Sequence, residues 1–248
     1  MQKIRLDKYL VQTNFAKSRE QAQEMIKSGR VKVNGLIANK GAMQIEHGVT
    51  ISLLADEGPS YVSRGAHKII AGLDHFKVNV DSKVCIDIGA STGGFTDVLL
   101  KRGAKKVFAV DVGYGQLAWS IRTDDRVVVF ERTNIRHLKP NDLDEPPELA
   151  VVDVSFISLK KVMEPIFSLL SDSGEKVIVA LFKPQFEVGR ERVGKGGVVR
   201  EDSFRTEALD DFRRWAEEQS YETTEPVRSP LKGPAGNVEF LIKIYSKG

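Results

Sequence analysis

Four side chains stand where apolar runs of the sequence stop: Asp87 within V-C-I-D-I, Asp111 after V-F-A-V, Asp153 after L-A-V-V and Lys183 after V-I-V-A-L-F. A carboxylate in such a place accepts hydrogen bonds from hydroxyls, and a lysine supplies a fixed positive charge or, once its charge is suppressed, a base. The stretch G-A-S-T-G-G follows Asp87 directly, with glycines at 89, 93 and 94. A parallel strand that turns through glycines into a helix makes a ligand site, because the helix start offers unpaired N–H groups and glycine lets the ligand reach the backbone. The loop is not G-x-G-x-x-G, which argues against a dinucleotide, and no Walker lysine follows it, which argues against a P-loop nucleotide. Asp111, eighteen residues beyond Gly93, suits a ligand ribose whose hydroxyls need an acceptor.

The elements that must position these groups alternate. Val84 to Ile88 reads as a strand buried on both faces, and Phe95 to Leu100 resumes at helical spacing. Further strands are expected at 107–110, 127–130, 149–152, 177–182 and 238–245, and helices at 64–76, 159–170 (interrupted by Pro165) and 204–218. Serial strand–helix units predict an α/β fold with an open, largely parallel sheet, whose ligands bind outside the carboxyl ends of the strands. All four chemical residues sit at those ends.

The first sixty residues read differently. Helices are expected from Arg5 to Asn14 and from Ser18, where Gln21 completes a capping box, to a stop at Gly29. Short β segments follow at 31–33, 36–37 and 49–53, with Asn34-Gly35 as a tight hairpin turn. Residues 1–40 carry nine Lys/Arg against three acidic residues, while the whole chain of 248 residues has a net charge of only +3. A basic module on a nearly neutral body points to nucleic acid. Ala55 to Ser60 is the expected linker, so the domains are read as 1–58 and 59–248. The one cysteine, Cys85, lies in an apolar strand as a core residue, which suits a reducing, cytoplasmic setting. No apolar run approaches a membrane span, so no membrane partner is expected. His47, His67, His75 and His137 show no metal-ligand spacing, so no metal is expected.

I-R-L-D-K-Y-L, A-K-S-R-E-Q-A and I-K-S-G-R-V-K-V-N-G resemble the S4 RNA-binding domain, from Lys3 to about Leu54. That resemblance assigns RNA-backbone contacts to Arg5, Lys8, Lys17, Arg19, Lys27, Arg30 and Lys32. D-I-G-A-S-T-G-G-F-T resembles the loop of the FtsJ-like 2′-O-ribose methyltransferases, which use S-adenosylmethionine on a Rossmann-like class I methyltransferase fold. By that resemblance Gly89, Ala90, Ser91, Gly93, Gly94 and Phe95 surround the methionine part of the cofactor. Asp111 with Val112 holds the ribose, Asn134 and Ile135 lie near the adenine, and Asp87 orients the loop or the methionine amine. The Lys-Asp-Lys-Glu tetrad of the same family falls on Lys68, Asp153, Lys183 and Glu239. It implies Lys183 as base or alkoxide stabiliser tuned by Lys68, Asp153 orienting Lys183 and the methyl donor, and Glu239 holding Lys68 or the ribose. An S4 module followed by Y-V-S-R-G, V-D-V-S-F-I-S-L, K-P-Q-F-E and G-R-E-R-V-G-K-G-G-V-V-R resembles the TlyA/hemolysin A family over essentially the full length. That implies methyl transfer to a cytidine 2′-hydroxyl of ribosomal RNA, with ribosomal subunits as partners; the sequence assigns no oligomeric state. One departure is Ala66-His67, where the family commonly has Gly-Leu before the lysine. The segment Gly189 to Arg200 reads as a mobile loop closing over RNA or as a disordered surface turn.

Other readings stay open at this level. Asp153-Val-Ser-Phe156 faintly resembles the acidic-Pro-Pro-aromatic motif of amino-group methyltransferases, but both prolines are absent. A non-catalytic ribosome-assembly factor would keep the fold without needing the complete tetrad. Direct haemolytic activity is disfavoured by the lack of a signal peptide, a span or a strong amphipathic helix.

Overall fold

The computed structural model describes residues 3–16, 18–27, 29–38, 40–46, 48–53 and 61–246. Lys17, His47 and the expected linker at 55–60 lie outside the described residues. The chain divides into two compact units, Met1–Arg64 and Gly65–Gly248.

The first unit contains β1 (Lys3–Arg5), α1 (Leu6–Gln12), α2 (Arg19–Lys27), β2 (Val31–Val33), β3 (Leu36–Ile37), β4 (Gln44–Glu46) and β5 (Ile51–Leu53). Leu6, Leu10, Ala22, Met25, Ile26 and Val31 form its small core, so each helix buries one stripe. The Ser18 hydroxyl accepts the Gln21 N–H at 3.2 Å, which starts α2 where the sequence puts it. Asn34 and Gly35, at φ 50° and 81°, make the hairpin turn between β2 and β3. The pairing of β1 with β4 was not expected, since K-I-R and Q-I-E, each with one isoleucine between two polar residues, are too short to give a strand pattern.

The second unit runs α3 (Ala66–His75), β6 (Val84–Ile88), α4 (Gly94–Lys101), β7 (Lys106–Val110), α5 (Trp119–Arg122), β8 (Val127–Phe130), β9 (Leu149–Val152), α6 (Lys160–Leu169), β10 (Lys176–Phe182), α7 (Asp202–Glu218), β11 (Glu222–Thr223), β12 (Val227–Arg228) and β13 (Phe240–Ser246). The sheet order is β11-β13-β10-β9-β6-β7-β8, with β12 also on β13. Strands β10, β9, β6, β7 and β8 are parallel, and β13 is antiparallel to β10, β11 and β12. The parallel part is as expected, and the antiparallel edge is added by β13 and its two short partners.

The strands alternate between two covers. Ile86, Ile88, Val152, Ala180 and Phe182 pack into one cluster with Val162, Met163 and Ile166 of α6 and Phe212 of α7. On the other face α3 comes so close that a Cβ on Gly72 would lie 3.2 Å from Val179 and 3.1 Å from Leu241. Pro165 does not interrupt α6, contrary to expectation. The lost hydrogen bond and the ring clash are outweighed by a stripe from Val162 to Leu169 that is buried against the sheet.

Candidate active site

The order of the strands reverses between β6 and β9, and the ends of these two strands touch. Gly89, at φ +84°, follows β6, and a Cβ there would lie 2.4 Å from the Asp153 carbonyl oxygen. The Gly89 N–H donates to Val110 O at 2.8 Å and the Asp153 N–H to Ile88 O at 2.9 Å, which laces the ends of β6, β7 and β9 together. The reversal opens a cleft of about 410 Å³, the place where open α/β sheets bind ligands.

Gly89, Ser91, Asp111, Val112, Asn134, Ile135 and Asp153 line it, seven of the residues expected to hold a cofactor. The Asp111 carboxylate is aimed by two backbone donors: Ser91 N–H to Oδ2 at 2.8 Å and Gly113 N–H to Oδ1 at 2.6 Å. A carboxylate has about four acceptor positions, so two remain for ligand hydroxyls. Asn134 caps a 3₁₀ turn at 135–137 by accepting the Arg136 N–H at 3.1 Å, which holds Ile135 against the cleft wall.

Asp87, Ala90, Gly93, Gly94 and Phe95 are not in the cleft wall. Strand alternation explains Asp87: Ile86 and Ile88 point to the α6 side, so Asp87 points to α4 and is fully buried. Its Oδ2 accepts the Thr96 hydroxyl at 2.6 Å, while Oδ1 is buried without a partner. Burial pushes its carboxyl up to about 7, against the Thr96 hydrogen bond and with help from the charges of Asp153 and Asp111. Phe95 is a core side chain, and Gly93 and Gly94 begin α4 beneath the loop.

The tetrad residues meet as two ion pairs. Lys183 Nζ lies 2.5 Å from Asp153 Oδ1 and donates a hydrogen bond to Ser155 Oγ at 2.8 Å. Lys68 Nζ lies 2.6 Å from Glu239 Oε2, with Lys68 9% and Glu239 1% exposed. The antiparallel register of β10 with β13 ends at Phe182↔Phe240, so Lys183 and Glu239 extend from the same end of neighbouring strands. The close approach of α3 at Gly72 puts Lys68, one turn earlier, over that end.

Three residues here escaped the sequence reading as functional. Ser155 is the second partner of Lys183. Phe156 is 91% exposed beside the cleft at φ +64°, a conformation that costs a bulky residue about 1–3 kcal/mol. Glu187 accepts the Ser158 hydroxyl at 2.6 Å and the Leu159 N–H at 2.8 Å, and burial raises its carboxyl above the ordinary range. Their only signal is membership of V-D-V-S-F-I-S-L and K-P-Q-F-E.

Gly189 to Arg200 is a structured turn. Gly194 N–H donates to Val198 O at 3.0 Å, and Asn237 accepts the Val199 N–H at 3.0 Å while donating to Gly197 O at 2.8 Å.

In the first unit the basic residues divide into two groups. Arg5 grips the buried Asp7 through two hydrogen bonds, at 3.0 and 2.8 Å, and Arg19 adds a third at 3.1 Å. These guanidinium groups hold Asp7 ionised, well below the usual carboxylate range, and so build the fold as well as carrying charge. Lys8 and Lys27 are exposed, and Arg30 and Lys32 are half-buried.

The FtsJ-like methyltransferase model matches residues 61–245 and the S4 domain model matches residues 4–51. The chain is 45% identical to the 16S/23S rRNA (cytidine-2′-O)-methyltransferase TlyA of Mycobacterium tuberculosis, over 97% of this chain and 89% of that protein. The chain belongs to the TlyA family of FtsJ-like methyltransferases. Another relative of this TlyA-family chain is Hemolysin A of Brachyspira hyodysenteriae, 40% identical over 96% of this chain and 98% of that one. A solved structure named "Putative hemolysin from Streptococcus thermophilus" superposes with a TM-score of 0.76 at 40% identity, covering 99% of this chain and 89% of that one. The TlyA-family fold is thus an S4 domain ahead of a class I methyltransferase domain, with Lys68, Asp153, Lys183 and Glu239 gathered in the second.

Proposed function

We propose that this chain transfers a methyl group from S-adenosylmethionine to the 2′-hydroxyl of a cytidine in ribosomal RNA, acting on ribosomal subunits. The observation that carries the reading is the pair of lysine–carboxylate contacts, the partly buried Lys183–Asp153 and the buried Lys68–Glu239, set on neighbouring strand ends beside the cleft. The S4 domain and the activity named for the Mycobacterium tuberculosis relative support RNA as the acceptor and the cytidine ribose as the group modified.

The residues fit the donor. Asp111 and Asp153 set two carboxylates in the cleft wall, which suits a ligand bearing ribose hydroxyls and positive charge, while the buried Asp87 lies behind the loop. Gly89, Asp111 with Val112, and Asn134 with Ile135 would hold its methionine, ribose and adenine parts. When bound, this cofactor supplies an electrophilic methyl group on sulfur.

A ribose hydroxyl is a weak acid, so the protein's task is to place its oxygen in line, to steady the negative charge that develops there and to let the hydroxyl proton leave to water. Lys183 donates one N–H to Ser155 and forms an ion pair with Asp153, which leaves donor capacity for the acceptor oxygen. Lys68, held by Glu239, adds positive field at the same end of the sheet. An amino acceptor would not need two lysines.

Tritiated methyl transfer to separated, unmodified ribosomal subunits, followed by mass spectrometry of nucleosides, tests the proposal. The expected product is 2′-O-methylcytidine, and label on a base would sink the ribose assignment. Lys183→Ala should abolish transfer while S-adenosylhomocysteine binding by calorimetry is retained.

A further inference from the structure

The two motifs that bracket the cleft, Asp153–Leu159 and Lys183–Glu187, are joined side chain by side chain. Lys183 holds Asp153 and Ser155, the Phe186 ring lies 5.2 Å from that of Phe156, and Glu187 holds Ser158 and Leu159. A short turn fixes the spacing of these grips, since the Phe186 N–H donates to Lys183 O at 2.9 Å and the Glu187 N–H to Pro184 O at 3.0 Å. Between the outer grips sits Phe156, at a φ of +64° that a free loop would abandon. The loop therefore holds its shape because both ends are pinned. The Lys183 end is pinned by the chemistry itself; the far end is pinned by a carboxylate that occupies both its oxygens with loop donors.

We propose that Glu187 is a positioning residue for methyl transfer: by holding Ser158 and Leu159 it keeps Phe156 in its strained conformation and Ser155 under Lys183 Nζ. It is not among the residues that line the cleft. Its effect passes through Ser155, which is three residues before Ser158 in a loop too short to absorb a shift. Without the pin Phe156 relaxes, Ser155 withdraws, and the Lys183 ammonium loses one of the two partners that aim it. A misplacement of about 1 Å at such a group costs roughly a hundredfold in rate.

The inference rests on the methyl-transfer reading for its kinetic arm and is independent of it for its structural arm. In the full-length chain, Glu187→Ala should lower kcat on ribosomal subunits by about ten- to a hundredfold, with the KM for RNA changed by less than threefold. Glu187→Gln keeps one acceptor and should recover most of that loss. Combining Glu187→Ala with Ser155→Ala should be no worse than the more severe single change, because both act on one Lys183 geometry. Full additivity of the two, or an unchanged kcat in Glu187→Ala, overturns the proposal. Hydrogen exchange in the cofactor-free protein is the second arm: the peptide covering 154–160 should exchange faster in Glu187→Ala and near the parent rate in Glu187→Gln. Unaltered exchange in Glu187→Ala also overturns it, whereas a parent enzyme that methylates nothing sinks only the methyl-transfer reading.

Discussion

Asp87 shows how far one atom's surroundings can depart from its residue type. A carboxyl with an ordinary value of 3.8 is raised to about 7 when it is sealed under α4 with one oxygen unpaired. The folded state therefore holds its proton more tightly than the unfolded chain does. The stabilising contribution is complete below about 4 and is lost as pH rises through about 7, where the buried group must ionise. Asp87→Asn keeps an acceptor for the Thr96 hydroxyl and removes the ionisation. Calorimetry without cofactor should find the melting temperature of the variant gaining on the parent between pH 5 and pH 8; a gap that stays constant with pH would refute the buried-charge account. The sequence reading set Asp87 at the strand end facing a ligand, whereas the period-two alternation of V-C-I-D-I turns it away from Ile86 and Ile88 and under α4. Ser155, Phe156 and Glu187 were not legible in the sequence, because their partners lie about thirty residues away and a positive φ at phenylalanine leaves no trace in residue type.

At the scale of elements, what sequence reads best is what burial dictates. β6, β8 and β9 coincide with their apolar runs residue for residue: β6 and β9 are buried along their whole length, and the edge strand β8 is half-buried throughout. β1 and β4 escape because they are short, polar and half-exposed, and Pro165 misleads because the packing of α6 outweighs its local preference. The contact between β6 and β9 is the most exacting joint in the sheet. Gly89→Ala adds one carbon 2.4 Å from the Asp153 carbonyl oxygen in a backbone conformation that alanine resists, so strand ends rather than flexible tips must move. The far-ultraviolet spectrum should stay near that of the parent while affinity for S-adenosylhomocysteine falls at least tenfold by calorimetry. Retained affinity would show that the strand ends can part without cost.

For the whole molecule, charge is divided unequally along the chain. Residues 1–40 hold a formal +6 and the remainder holds −3. A basic S4 unit binds phosphates through counterion release, which makes affinity fall with salt in proportion to the contacts made. Arg5 and Arg19 are partly committed to Asp7, so the exposed Lys8 and Lys27, with Lys32, are the cations best able to engage a polyanion. Changing these three lysines together to alanine should raise the KM for ribosomal subunits, leave kcat intact and flatten the plot of log affinity against log salt by about 2. An unchanged slope would remove these lysines from the RNA interface.

Strand β13 lies inside the sheet, between β10 and the short pair β11 and β12, and it leads directly out of Glu239. Units made early in synthesis, such as β6–α4–β7, can dock as they emerge. Lys68 belongs to the first helix of that domain, yet its partner arrives 171 residues later. Until the closing strand slides into place, the lysine has no counter-charge and the outer side of β10 has no neighbour. Assembly order thus acts as a delay: a nascent chain can shape much of its cleft well before it owns the charge pair that the proposed chemistry requires.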